Sequence, residues 1–175
     1  MIVFRNTDID VPFFWESDRQ PAARWHADGA GPAQYTSSTP DASWAEFLRH
    51  AGMTDADDLA GIERTMWAVE IPDDEPSGGA ALPPDSLTGD LRSYPACQAE
   101  AARLRAAGVT RLVATSAATL FGTPSGWVSA PDLISADARD ELTIVLYGPR
   151  PDIVGWVSAT LGRPERGLLT RVRHL

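Results

Sequence analysis

The stretch Arg24–His50, RWHADGAGPAQYTSSTPDASWAEFLRH, carries the strongest local signals in the chain. A glycine-rich turn leads into AQYTSS, Ala33–Ser38, whose tyrosine and threonine favour a strand. Ser38 or Thr39 then caps a helix with Pro40 in its first turn. That helix is expected to run to about His50 and to stop at Gly52.

Glu46 has two readings in this helix. SWAE, Ser43–Glu46, fits a capping box, in which the glutamate only satisfies an N-terminal amide. If the helix instead begins at Pro40, Glu46 lies in its second turn and the cap role disappears. At about 100° per residue, Trp44, Phe47, Leu48 and Ala51 then form the apolar stripe. Glu46 points almost opposite, toward solvent or a cleft. Arg24 also divides: its stem covers Trp25 at the surface, or its guanidinium forms a fork for a phosphate or carboxylate. His26 reads as a turn residue. Tyr35 faces either the core or a ligand.

Outward from this stretch, MIVFR opens the fold as a short strand. TMWAVEI, Thr65–Ile71, is a second, and Pro72–Ser86 is a loop on composition. A helix is expected from about Pro95 to Ala107, closed by Gly108. Strands follow at Thr110–Ala118 and Glu141–Tyr147. Ile153–Ser158 is a strand or short helix, and Gly167–Leu175 a final strand. The elements never settle into regular βαβα alternation. The expectation is one α+β domain over residues 1–175, with curved mixed or antiparallel sheets and a few helices. No GxGxxG follows a strand and no GxxxxGK[ST] occurs, so the usual dinucleotide and triphosphate cradles are missing.

Composition narrows the function. The chain has 175 residues and is 43% apolar, which argues for a packed core. All 15 basic residues are arginine, and the net charge of -9 opposes nonspecific binding to a nucleic-acid backbone. Cys97 is the only cysteine, so there is no internal disulfide and no thiolate zinc site. It reads as a buried structural residue. Three scattered histidines make no metal triad, and no metal is expected. The N-terminus lacks a signal-peptide pattern, and no apolar run reaches the roughly 18 residues of a membrane span. A cytoplasmic location without direct nucleic-acid or membrane contact is expected.

Ser116 sits near the end of the strand RLVATSAA. It is either satisfied by the backbone or available to a phosphate oxygen. It lacks a GxSxG elbow, which weakens a hydrolase reading.

The order of these residues resembles the RES domain family, named for arginine, glutamate and serine. AARWHADGAGPAQY and SSTPDASWAEFLRH are similar to the family's GGRWN-like segment, VVY strand and helical glutamate. By this resemblance Arg24, Tyr35 and Glu46 match the family arginine, tyrosine and glutamate. Ser116 in VATSAAT matches the serine, and Arg5 in VFR an arginine near the N-terminus. Here Ala22 and Ala23 stand for the usual glycines, His26 for the asparagine and Thr115 for the proline before the serine.

The resemblance implies an ADP-ribosyltransferase-like fold and an enzyme that consumes NAD by hydrolysis, phosphorolysis or ADP-ribosyl transfer. It implies catalytic Arg24, Glu46 and Tyr35, and NAD contacts from Arg24, Tyr35, Ser116 and Arg5. Several family members are toxins of bacterial toxin–antitoxin pairs, and the antitoxin, which carries a DNA-binding domain, blocks the active site. The expected partners are therefore NAD as substrate and a cognate antitoxin, with self-association into a homo-oligomer as a further option. The alternative on the same residues is a RES-like module that binds a nucleotide or a protein without turnover.

Overall fold

The computed structural model describes every residue except Asp18 and Ala130. Its strands are β1 (Ile2–Asp8), β2 (Ala33–Ser37), β3 (Arg64–Glu70), β4 (Ser77–Gly79), β5 (Arg111–Thr115), β6 (Trp127–Ser129), β7 (Leu133–Ser135), β8 (Leu142–Tyr147) and β9 (Val154–Gly162). The α-helices are α1 (Pro40–Ala51), α2 (Pro84–Thr88) and α3 (Tyr94–Ala106). Seven strands form one sheet in the order β4-β5-β8-β2-β1-β3-β9, and β6 and β7 form a separate hairpin. Only β4 pairs parallel, with β5; the other neighbours run antiparallel. This is the mixed α+β architecture expected.

Local chemistry explains why α1 is where it is. Thr39 is the N-cap and its hydroxyl accepts from the Ala42 N–H, with Pro40 at the first helical position. Glu46 is therefore in the second turn and the capping box does not form. The helix closes at Gly52, whose φ of 64° suits a residue without Cβ. Gly108 plays the same part after α3, with φ 86°. Behind the cap, the buried Glu141 carboxylate accepts from the Ser38 and Thr39 hydroxyls and ties the start of α1 to the start of β8.

Side chains on β8 separate the two sides of the sheet, because successive residues point to opposite faces. Val145 and Tyr147 pack with Cys97, Ala101 and Leu104 of α3, and with Trp25 and Leu112. Ile144 and Leu146 meet Val3 and Val69 on the other face, covered by Phe13 and Phe14. Thr143 shares a face with Val145 and reaches α1 through Glu46. Helix α1 buries Trp44, Ala45 and Leu48 against Leu59, Ile62, Met66 and the C-terminal Leu168, Leu169 and Val172. Both long helices thus lie on one face of the sheet.

Three expectations change. Gly167–Leu175 is not a strand: Arg166–Arg171 forms a 3-10 helix, and only Val172 bridges to Thr119. Leu168 and Leu169 are adjacent instead of alternating, and both pack onto α1 from within that turn. Pro72–Ser86 is not all loop. Arg111 and Thr110 donate to the Pro76 carbonyl and draw Ser77–Gly79 alongside β5. Ala51 is exposed, so the apolar stripe stops at Leu48.

Candidate active site

A cleft of about 320 Å³ opens where α1 and the start of α3 stand over β1 and β2. Of the residues singled out in the sequence, Arg5, Arg24, Tyr35 and Glu46 line it together. Ser116 does not. It is fully buried behind Glu46, where its hydroxyl donates to Glu46 Oε1 at 3.2 Å and accepts from the Ala118 N–H.

Among the described residues, Glu46 is the only carboxylate on the cleft wall. Its Oε1 accepts a second hydroxyl, from Thr143 at 3.1 Å, and His50 Nε2 stands 3.6 Å from Oε2. Burial pushes its pKa up, but the His50 contact and the two hydroxyl donors outweigh that push and hold the carboxyl below its ordinary value. Oε1 is thus anchored by hydroxyls from β8 and from the residue after β5, and Oε2 is turned to the side where His50 stands.

Arg24 is buried, and its guanidinium is not a surface charge over Trp25. Nη1 donates to the Ser86 carbonyl at 3.2 Å and to Ser93 Oγ at 2.8 Å, and Nη2 to the Gly89 carbonyl at 2.6 Å. The Tyr94 ring lies 4.9 Å from its centre. Cys97 is buried beside it and donates to the Ser86 carbonyl, in keeping with a structural role. Arg5 lies under Phe14, donates to Gln34 and has its pKa lowered to about 10 by burial and by neighbouring Arg64.

Tyr35 offers its ring to the cleft, but its hydroxyl is held behind. That oxygen accepts the Trp25 N–H at 2.8 Å and lies 3.1 Å from His26 Nδ1. Burial raises the phenol well above its ordinary pKa. His26 is not a free turn residue. It is buried, and burial lowers its pKa, which favours the neutral ring.

Sequence reasoning missed Thr143, Arg49, His50 and Tyr94. Helical spacing was a usable signal for two of them, since Arg49 and His50 follow Glu46 by three and four residues on the same side of α1. Thr143 carries no local signal. It reaches Glu46 only because β8 pairs with β2 in the register that sets Thr143 opposite Ser37. The cleft wall bears Arg5, Arg24, Arg49 and Arg64 against one glutamate, in a chain whose net charge is -9. The local field favours an anionic ligand despite the overall charge. Among the described residues, no group of three or more His, Cys, Asp or Glu is gathered as a metal centre, and no helix is long and apolar enough to cross a membrane.

Arg24, the Tyr35 strand and the Glu46 helix are thus set around one cleft, in the order found in the RES domain. The RES domain model matches residues 5–128, and the chain belongs to that family. Over almost its whole length the fold is similar to one in the crystal structure of the M. tuberculosis MbcT–MbcA toxin–antitoxin complex. The TM-score is 0.61 at 15% identity, covering 97% of this chain and 86% of that one. A comparison with curated proteins finds no match.

Proposed function

We propose that this RES domain cleaves the bond between nicotinamide and ribose in NAD and serves as the toxin of a toxin–antitoxin pair. The observation that carries the reading is Glu46: among the described residues the one carboxylate on the wall of an arginine-lined cleft, ionised and oriented by Ser116 and Thr143. Departure of nicotinamide takes the bonding electron pair onto the pyridinium nitrogen and neutralises it, so no strong general acid is needed. Positive charge then develops at the ribose C1′ and its ring oxygen. Glu46 stabilises that charge and holds ribose hydroxyls through Oε2. The Tyr35 ring packs against nicotinamide or its ribose. Arg24 draws in the pyrophosphate, and Arg5 adds positive field. Ser116 acts through Glu46 by anchoring it.

The nucleophile that adds to C1′ is read from the product: ADP-ribose from water, its 1″-phosphate from inorganic phosphate, or a modified side chain. Purified protein is incubated with NAD, with and without phosphate, and nicotinamide release is followed by chromatography. Release in at least one condition is expected, and none in any condition refutes the enzymatic reading. The toxin role rests on family membership and on the likeness to a toxin–antitoxin complex. Growth arrest on expression, relieved by Glu46→Gln, is the expected result; unimpaired growth refutes it.

A further inference from the structure

Arg49 has no part in the reading above, and its surroundings are unusual for a buried cation. It is 3% exposed, on the same face of α1 as Glu46, and it lines the cleft. Its Nη1 donates to the carbonyls of Ala117 (2.7 Å) and Arg173, and its Nη2 to that of Gly89 at 2.8 Å. The Gly89 oxygen also takes the bond from Arg24. Two guanidinium groups therefore converge on one neutral oxygen. The arginine salt bridges among the described residues belong to Arg64, Arg92, Arg103, Arg139, Arg150 and Arg166, and neither Arg24 nor Arg49 takes part in one.

Burying two like charges side by side, with neither in a salt bridge among the described residues, is costly. Burial, and then the neighbouring Arg24, lower the Arg49 pKa by more than Glu46 and Tyr94 raise it, in line with that cost. Neutral carbonyls satisfy hydrogen bonds but not charge. A guanidinium has five N–H donors, so the three bonds of Arg49 leave two donors over among the described partners. An arginine needed only to staple the C-terminal segment would not require a second arginine on the same acceptor.

We infer that Arg49 and Arg24 form a paired anion subsite that binds a diphosphate group, with Arg49 as the second phosphate ligand. In the dinucleotide proposed above this group is the pyrophosphate; that identification rests on the proposed function, whereas diphosphate binding does not. Two forked cations suit two linked phosphates better than a single carboxylate. The subsite lies beside Glu46, which also contributes to the field at Arg49. The carboxylate thus repels an anion placed too deep and leaves the phosphates on the arginine side of the cleft.

The test is titration calorimetry with ADP, inorganic pyrophosphate and adenosine on the wild type, Arg49→Gln and Arg49→Lys. ADP and pyrophosphate are expected to compete for one site in the wild type. Folded Arg49→Gln is expected to weaken both at least about tenfold. Arg49→Lys keeps the charge but loses the planar fork, and is expected to weaken both about threefold or more. Adenosine, which has no phosphate, should show no change. A wild type that binds neither diphosphate overturns the inference, as does a folded variant that binds ADP like wild type. Should Arg49→Gln fail to fold, unchanged ADP binding by Arg49→Lys overturns it as well. Where NAD is cleaved, Arg49→Gln should lose kcat/KM on NAD but not on nicotinamide riboside. Equal loss on both assigns Arg49 a structural role and overturns the inference. Diphosphate binding that depends on Arg49 in a protein without NAD turnover supports the subsite and refutes the proposed function alone.

Discussion

Replacing Glu46 by glutamine keeps the shape of the cleft wall and removes one negative charge. The glutamine oxygen can accept the same hydroxyls of Ser116 and Thr143, now 3.2 and 3.1 Å from Oε1, so the side chain stays in place. A unit charge about 4 Å from a carbocation-like centre contributes about 4 kcal/mol at an effective dielectric of about 20. The cleft is open to water on one side, which trims this to about 3 kcal/mol, the usual loss for one preorganised electrostatic group. At about 1.4 kcal/mol per tenfold, kcat for nicotinamide release falls at least about 100-fold. The assay is steady-state nicotinamide release with kcat and KM resolved, beside a melting curve to confirm folding. A shift of only about 2–4 °C is expected, corresponding to about 1 kcal/mol at this size. A folded variant with more than about a third of wild-type kcat would refute the role of Glu46. So would a rise in KM with kcat unchanged, since that marks binding shared by ground and transition states.

Other consequences are as direct. His50→Ala removes the contact that offsets burial at Glu46, so the Glu46 pKa rises. The acid limb of kcat/KM, expected below the ordinary 4.5 in the wild type, should then move to higher pH; an unmoved limb counts against the contact. Tyr35→Phe leaves the Trp25 N–H without its acceptor but keeps the ring. Urea unfolding should show a loss of about 1–2 kcal/mol, with nicotinamide release retained within about threefold; an activity loss as large as that of Glu46→Gln would assign the hydroxyl a chemical role. Glu100 has its pKa lowered to about 2 by Arg103 and the Ala81 N–H. A depressed carboxyl stabilises the fold above its unfolded pKa, so this contribution is present at pH above about 4.5 and is lost toward pH 2. Glu100→Gln should flatten the unfolding midpoint across that window, and an unchanged profile would contradict the linkage.

Much of the site could be read along the chain because it is built from local elements. Thr39, Pro40 and Gly52 specify where α1 starts and stops, and that alone moves Glu46 out of a capping box and into the second turn. The order of Arg24, Tyr35 and Glu46 was enough to point to the family, and the membership now stands on the match over residues 5–128. Ser116 is found by pattern, but its position is not: it supports Glu46 from behind and does not line the cleft.

Capping, turn residues and period-two or period-3.6 spacing act within a few residues, so the sequence by itself determined α1, α3 and most strands of the large sheet. It could not determine what depends on pairing between distant segments. The register of β8 against β2 brings Thr143 to Glu46, and docking of the Gly89 segment sets two arginines on one carbonyl. The same limit explains the C-terminus. Leu168, Leu169 and Val172 lack the period-two spacing of a strand, and their burial on α1, a distant segment, goes with a 3-10 turn.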